Sequence, residues 1–205
     1  MRELSVLFNG PMVRAILEGR KNQTRRPLRN QPEGDHFILS RKQGRKIVAN
    51  IRDGVIMWIP YGGAPEQPMP MEEIAKYLPY AVGDRMYVRE SFYQSPMTGE
   101  IAYKADGFVQ GWQPRPSIHM PKRAARIWLP VTDVRVERLQ DISPEDCWQE
   151  GIVIAWPTKD ETKERATEII RDAFIDLWDA QYGKTKYAWK NNPWVSVTEF
   201  QRSQG

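Results

Sequence analysis

The hydrophobic positions at the start of the chain predict a strand followed by a helix. Residues 4–8, LSVLF, indicate a short first strand. Asn9 stands two residues before Pro11, which is typical of a helix entrance. Apolar residues then recur at four-residue spacing until Gly19, a natural C-terminal stop. We therefore expect the segment that follows, RKNQTRRP, to be a connection whose side chains are free to face a cleft.

From residue 82 onwards the chain shows the pattern of three strands and two helices. In VGDRMYVRE, a turn precedes residues that alternate with a period of two, and ARIWLPVTDVRVERL gives the clearest strand signal. Ser143 followed by Pro144 marks the start of a short helix. A longer helix, roughly Lys163 to Gln181, has one apolar face. The segment NPWVSVTEF alternates regularly and predicts the last strand.

Residues 30–80 differ from their flanks because short apolar runs alternate with glycine and proline turns. They predict two or three short strands, with Asp53-Gly54 as a hairpin tip. No sustained apolar pattern could build a separate core there, so we interpret the block as an insertion in a single domain, residues 1–205. The element order contains no repeated βαβ unit. It favours an α+β fold, specifically a compact β-barrel with a few flanking helices.

Composition narrows the classes of protein that fit this pattern. With 40% hydrophobic residues and eight tryptophans in 205 residues, the chain is globular. Its formal charge of +4 is small for a dedicated non-specific nucleic-acid binder. The single cysteine, Cys147, excludes an intramolecular disulfide, and His36 and His119 lack metal-site spacing. We therefore expect no metal site and no cofactor.

The apolar runs of the sequence are short. The N-terminus has no apolar segment of signal-peptide length, and no run approaches the roughly 20 residues of a membrane span. We therefore expect a soluble, cytoplasmic protein that has no membrane partner.

The strongest chemical candidate lies in the basic stretch, residues 14–29, where six of sixteen residues are arginine or lysine. Lys21 and Thr24 stand three residues apart in its middle. A threonine hydroxyl becomes a nucleophile when a neighbouring base takes its proton. Lysine can be that base once desolvation or nearby positive charge lowers its pKa to about 7–8, and Arg20, Arg25 and Arg26 could provide that charge. In the alternative interpretation, Lys21 contacts phosphate and Thr24 simply lies on a strand.

Two other groups of charged residues are candidates. Glu145 and Asp146 open the helix after Ser143, where the helix dipole favours negative charge. Glu150 stands at the end of that helix, against the same preference, which makes it a candidate for function. Arg85 and Arg89 lie on one face of a predicted strand. They either bind an anion or form a solvated outer face.

Several segments together resemble the ASCH-domain family, which is frequent in phage and prophage genomes: ILEGRKNQTRR, VGDRMYVRE, VTDVRVERLQDISPEDCWQEGI, FIDLWDAQYG and NPWVSVTEF. The most specific motif is GRK followed by Thr-x-Arg. Asn22 departs from it, because threonine is common at that position. The resemblance leaves residues 30–78 and about 93–120 as loop-rich insertions. It implies a fold similar to the PUA domain, a small β-barrel associated with RNA.

The small bacterial members of this family include amidohydrolases that remove acyl groups from the exocyclic amine of cytidine. The resemblance implies a catalytic set made of the lysine of GRK, the threonine three residues on, and a glutamate near a later helix end. These match Lys21, Thr24 and Glu150, with Glu145 as the fallback for the third. Arg26 matches the arginine that closes the motif.

Two functions follow as hypotheses. In the first, an amidohydrolase acts on N4-acylated cytidine or a related modified nucleoside. Thr24 attacks the amide carbonyl, Lys21 accepts the hydroxyl proton, and Glu150 orients the lysine or protonates the leaving amine. Arg85, Arg89 and the arginine that closes the motif would bind substrate. In the second, a non-catalytic module binds RNA or DNA through the basic stretch and the same strand arginines. Nuclease activity, a third alternative, lacks the expected paired histidines or carboxylate cluster.

Overall fold

The computed structural model of the protein describes residues 1–29, 31, 78–153 and 162–202, except for the side chain of residue 163. Between residues 36 and 68 it describes the backbone of four strands. The strands are β1 Glu3–Leu7, β2 Gln23–Pro27, β3 His36–Lys42, β4 Arg45–Arg52, β5 Val55–Trp58, β6 Gln67–Pro68, β7 Arg85–Arg89, β8 Phe92–Gln94, β9 Ile101–Tyr103, β10 Gln113–Arg115, β11 Trp128–Arg138 and β12 Trp194–Phe200. The helices are α1 Gly10–Leu17, α2 Pro144–Gln149 and α3 Lys163–Tyr182. None of these described helices is long and apolar enough to cross a membrane.

The predicted helix entrances are confirmed by their capping contacts. The Asn9 side chain accepts a hydrogen bond from the Met12 N–H at 3.0 Å, at the start of α1. Ser143 and Asp146 form a capping box at the start of α2, in which each side chain accepts a bond from the other residue's N–H. These signals are reliable because each cap satisfies a backbone N–H that has no partner within the helix.

A five-stranded sheet, in the order β1-β7-β11-β12-β2, organises the fold. β1 runs parallel to β7, and the other neighbours are antiparallel. The alternation predicted for β12 is confirmed, and both faces of the strand are buried. Phe200 belongs to the first of two hydrophobic clusters, and Val195 and Val197 belong to the second.

Helices cover the two faces of this sheet. α1 contributes Val13 and Ile16 to the first hydrophobic cluster. α2 and α3 contribute Cys147, Ile170 and Phe174 to the second. As a result, β2 is covered on both sides although it is the last strand of the sheet.

The expectation that RKNQTRRP is an open connection is wrong. Residues 23–27 of this segment form β2, which pairs with β12 along its whole length. The side chains of Gln23, Thr24 and Arg25 are buried. Polar side chains are buried at low cost when hydrogen bonds and opposite charges compensate them. A hydrophobicity pattern does not contain that information, because the partners come from distant parts of the chain.

The other strands form two smaller sheets, one in the order β10-β8-β9 and one in the order β3-β4-β5-β6. The short strands predicted for residues 30–80 are confirmed, with the very short β6 in addition. Asp53 and Gly54 lie outside the described residues, but β4 and β5 on either side of them pair antiparallel. The α+β class is confirmed. In the part of the chain that the structure describes, the strands form no closed barrel, since β1 and β2 end the five-stranded sheet on opposite sides.

Candidate active site

Lys21 is held by the turn that follows α1. Its N–H donates to the carbonyl of Ala15 at 3.0 Å. Lys21 then forms an isolated antiparallel bridge with Glu150, the C-cap residue of α2. Gly151 permits this close approach: its φ is +87°, and a Cβ atom there would lie 2.8 Å from the Cβ of Ala15 and 3.0 Å from that of Lys21.

The Lys21 ammonium group is buried and uses all three of its donors. Nζ donates to Glu150 Oε2 at 2.7 Å, to the Glu150 carbonyl at 2.8 Å and to the Gln23 carbonyl at 2.8 Å. Burial lowers the pKa of Lys21, and the attraction of Glu150 opposes this shift only in part. The charges of Arg26 and Arg25 lower the same pKa further. A lysine with a lowered pKa beside a carboxylate is suited to proton transfer.

Arg25 connects Glu150 to two more carboxylates. Its guanidinium lies 2.7 Å from Glu137 Oε1, 3.0 Å from Asp146 Oδ2 and 3.2 Å from Glu150 Oε1, and its side chain is 1% exposed. One carboxylate oxygen of Glu150 therefore bonds to Lys21 and the other bonds to Arg25. Two buried cations fix the orientation of this carboxylate.

Thr24 points to the opposite face of β2 from Arg25, because side chains alternate along a strand. The residue is fully buried, and its Oγ1 has no hydrogen-bond partner among the described residues. A buried hydroxyl without a partner costs roughly 1–3 kcal/mol, so Thr24 is a candidate for a role beyond packing. In this structure Lys21 bonds to Glu150 and not to Thr24.

A small cavity of about 20 Å³ adjoins Glu150 and Arg25. α3 supplies its aromatic wall through Phe174, Trp178 and Tyr182. The volume accommodates about one water molecule. The space beside Glu150 is therefore small, and a larger ligand fits there only if side chains that line the cavity move.

The structure thus brings two of the three predicted catalytic residues, Lys21 and Glu150, into direct contact, whereas the hydroxyl of Thr24 bonds to none of the described residues. The fallback residue, Glu145, is exposed in the first turn of α2. Arg26 lines the small cavity and donates to two backbone carbonyls, at 3.0 and 3.2 Å. Glu150, and not Glu145, is therefore the glutamate that lies within hydrogen-bond distance of Lys21 and can exchange a proton with it.

Arg85 and Arg89 share one face of β7 and make their contacts elsewhere in the fold. The Arg85 guanidinium lies 4.4 Å from the ring centroid of Trp128. Arg89 donates to the carbonyl of Ile118 and, at 3.0 Å, to that of Met120. No hydrogen bond or ion pair among the described residues connects either arginine to the candidate active site. Their role in substrate binding stays a prediction.

Most cations of the basic stretch bond within the protein. Arg14 donates to a backbone carbonyl at 3.2 Å, and Arg20 forms an ion pair with Glu18. Lys21 and Arg25 are enclosed by the carboxylates described above. This arrangement favours a buried polar site over a solvent-facing clamp for phosphate.

Cys147 is fully buried on α2, and burial raises the pKa of its thiol to about 12. The thiolate is the reactive form, so we expect the native thiol to react with a disulfide reagent at least about 100-fold more slowly than in the denatured protein. The measurement is the absorbance of released thionitrobenzoate at mildly alkaline pH. Rapid stoichiometric labelling of the native protein would contradict this expectation.

The sequence-based reasoning missed Glu137, treated Arg25 only as a charge that could lower the pKa of Lys21, and gave Asp146 an incomplete role. The helix-dipole explanation of Asp146 holds, since it completes the capping box, but its carboxylate also contacts Arg25. The sequence did contain one signal for Glu137. Its side chain points to the opposite face of β11 from Val134 and Val136, so it faces away from the first hydrophobic cluster. What lies opposite that face depends on the strand order.

No family model, curated protein or solved structure matches this chain. Two features therefore bear on its function: the geometry of these side chains and the resemblance in its motifs.

Proposed function

We propose that this protein is an amidohydrolase that removes an acyl group from the exocyclic amine of N4-acylated cytidine or a related modified nucleoside. The observation that carries the proposal is the buried pair of Lys21 and Glu150, 2.7 Å apart, together with a buried Thr24 hydroxyl, three residues from Lys21 in the sequence, that has no partner among the described residues. The ASCH resemblance assigns catalytic roles to the same three residues. A nucleophile, a base and a proton donor are what amide hydrolysis requires.

The first step of the proposed reaction is a proton transfer within the buried pair. In the resting site three acceptors surround Nζ of Lys21, which fits an ammonium group. A proton passes from Nζ to Glu150 Oε2 along the 2.7 Å hydrogen bond and leaves a neutral amine. Burial favours this transfer because it removes two desolvated charges together.

The chemistry at the substrate follows from this state. Thr24 Oγ1 attacks the acyl carbonyl carbon while its proton passes to Nζ of Lys21. The carbon–nitrogen bond then breaks, and the cytosine amine leaves with the proton held by Glu150. Water hydrolyses the resulting acyl-threonine ester, which releases the carboxylic acid and restores the hydroxyl. Arg26 or a backbone N–H stabilises the oxyanion, a contribution of roughly 3–4 kcal/mol.

The proposal includes the fold of the family, a PUA-like β-barrel in which residues 30–78 and about 93–120 are insertions. One contact supports an approach between the two end strands of the five-stranded sheet. Arg26 on β2 donates to the carbonyl of Leu7 on β1 at 3.2 Å. In a small barrel these strands would be neighbours.

Substrate entry requires a change in the aromatic wall of the cavity. An acylated cytosine is many times larger than the roughly 20 Å³ beside Glu150. Phe174 is buried in the second hydrophobic cluster, whereas Tyr182 is half-buried near the end of α3. The end of α3 is therefore the part of the wall that opens at the lower cost in buried apolar surface.

The direct test is a spectrophotometric assay of the purified protein with N4-acetylcytidine and N4-benzoylcytidine. Turnover is expected for the wild type, none for Thr24→Ala, and partial activity for Thr24→Ser, which keeps a hydroxyl. Thr198→Ala is the matched control, since it removes a buried hydroxyl from the residue paired with Thr24 on β12, and it should retain wild-type turnover. Near-full activity of Thr24→Ala would exclude this nucleophile. Absence of wild-type turnover on both amides would contradict the proposed function.

A further inference from the structure

An open groove of about 450 Å³ shares no lining residue with the candidate active site. Its floor is one face of the β8–β9 hairpin, where Phe92 pairs with Tyr103 and Gln94 pairs with Ile101. Its wall is the strap, residues 116–124, which contains two short 3-10 turns. The volume is in the range of small-ligand sites, about 300–1,000 Å³.

Three polar side chains face this groove without a partner among the described residues. The strap contributes the exposed guanidinium of Arg123 and the exposed imidazole of His119. The hairpin contributes the half-buried amide of Gln94. None of the described residues that line the groove is acidic. Unpaired cationic and amide groups over an apolar floor are the features of a site that binds a polar, anionic ligand.

Hydrogen bonds from β7 and β9 fix the backbone of the strap. Arg89 on β7 donates to the carbonyls of Ile118 and Met120, and the latter bond is 3.0 Å long. The Tyr103 hydroxyl donates to the carbonyl of Ala124 at 2.9 Å. Because the backbone on both sides of residue 123 is fixed, ligand binding does not have to order it, which reduces the entropic cost of association.

An aromatic ring completes the groove. Tyr103 is half-buried, and the guanidinium of Arg126 lies 3.9 Å from its ring centroid. Arg126 is itself fixed by Glu90 and Asp106. The ring therefore has a defined orientation beside the polar groups, which suits contact with a planar heterocycle.

We propose that this groove binds a nucleotide unit, that is, a phosphate ester attached to a planar base. Arg123 and His119 bind the phosphate, since an unpaired guanidinium is the preferred partner of phosphate oxygens. Gln94 has a donor and an acceptor for the edge of the base, and the base packs against Tyr103. This site does not depend on the proposed amidohydrolase chemistry, because it shares no residue with it.

The test is a binding titration of the full chain near neutral pH with two probes: cytidine monophosphate, followed by calorimetry, and a short fluorescein-labelled oligothymidylate, followed by anisotropy. Arg123→Gln is expected to weaken the binding of either probe by about tenfold or more. For the oligonucleotide it should also reduce the slope of log K against log salt by about 0.7. Arg165→Gln, an exposed arginine on α3, is the matched control and should leave both affinities unchanged.

The two probes distinguish the sources of the nucleotide. Binding of both probes that depends on Arg123 identifies a site for which a free nucleotide suffices. Binding of the oligonucleotide alone, with the same dependence, identifies a site for nucleotides within a strand. The proposal is overturned if neither probe binds, or if Arg123→Gln and Arg165→Gln behave alike. Equal affinity for inorganic phosphate and cytidine monophosphate would also overturn it, because the base would then contribute nothing.

Discussion

Lys21→Met is expected to reduce kcat/KM of the proposed deacylation by at least about 10³-fold, within the range that a lost general base produces. Methionine keeps the length and the apolar stem of the side chain but has no proton acceptor of comparable strength. The physical reason is that a buried Thr24 hydroxyl is a weak nucleophile unless an amine takes its proton. The measurement is the rate of N4-acetylcytidine hydrolysis by the variant beside the wild type.

The pH dependence gives this prediction a signature that a purely structural role does not produce. The active pair carries one proton, which Lys21 passes to Glu150, so activity falls as the pH rises and the pair loses that proton, along a limb below the ordinary lysine value of 10.5, because burial lowers this pKa. Glu150 raises the pKa of Lys21, whereas Arg26 lowers it. Glu150→Gln should therefore shift the limb to lower pH, and Arg26→Gln should shift it to higher pH.

These shifts are independent of the plateau activity, which both substitutions are also expected to reduce. The apparent pKa of this limb belongs to the Lys21–Glu150 pair and not to one residue. Identical limbs in the wild type and both variants would show that Lys21 is not the group that titrates. Turnover in Lys21→Met within tenfold of the wild type would show that it is not the base.

Arg25→Leu is expected to lower the free energy of unfolding by about 3–5 kcal/mol, because it leaves buried carboxylates without their cation. Glu137, Asp146 and Glu150 all lie within 3.2 Å of this guanidinium. The measurement is urea denaturation near neutral pH. Arg25→Lys keeps the charge but not the planar fork that contacts several carboxylates, and should recover part of the loss.

The pH dependence of the free energy of unfolding distinguishes this electrostatic explanation from a loss of packing. Burial raises the pKa of Asp146, but the hydrogen bond from Gln23 and the charge of Arg25 outweigh it, so the net pKa is below the ordinary 3.8. That stabilisation is present above pH 3.8 and is lost as the pH falls through the lowered value. In Arg25→Leu the carboxylate of Asp146 takes up its proton at higher pH, because the charge of Arg25 no longer lowers its pKa, so the difference from the wild type should narrow towards acid.

The matched control for this stability measurement is Arg165→Leu. Arg165 forms an ion pair with Glu168 on the surface of α3, where both side chains are at least 60% exposed. Exposed pairs of this kind contribute under about 1 kcal/mol. An Arg25→Leu loss no larger than that of the control would contradict the proposed role of the buried cluster.

The sequence by itself determined the elements whose signals are local. The caps Asn9 and Ser143, the apolar face of α3 and the alternation in β12 predicted their elements to within about a residue or two. The reason is that capping and periodic burial depend on neighbours a few positions away. The motif resemblance likewise selected Lys21 and Glu150, which the fold places in direct contact.

The tertiary structure decided what local patterns do not contain. It placed Gln23, Thr24 and Arg25 in a buried strand, where residues more than 100 positions away supply the carboxylates that compensate Gln23 and Arg25. It also left the hydroxyl of Thr24 without a partner among the described residues, whereas Lys21 bonds to Glu150. The sequence shows which residues are charged. Whether their side chains face solvent or one another depends on the strand order and on which helix covers each face of the sheet.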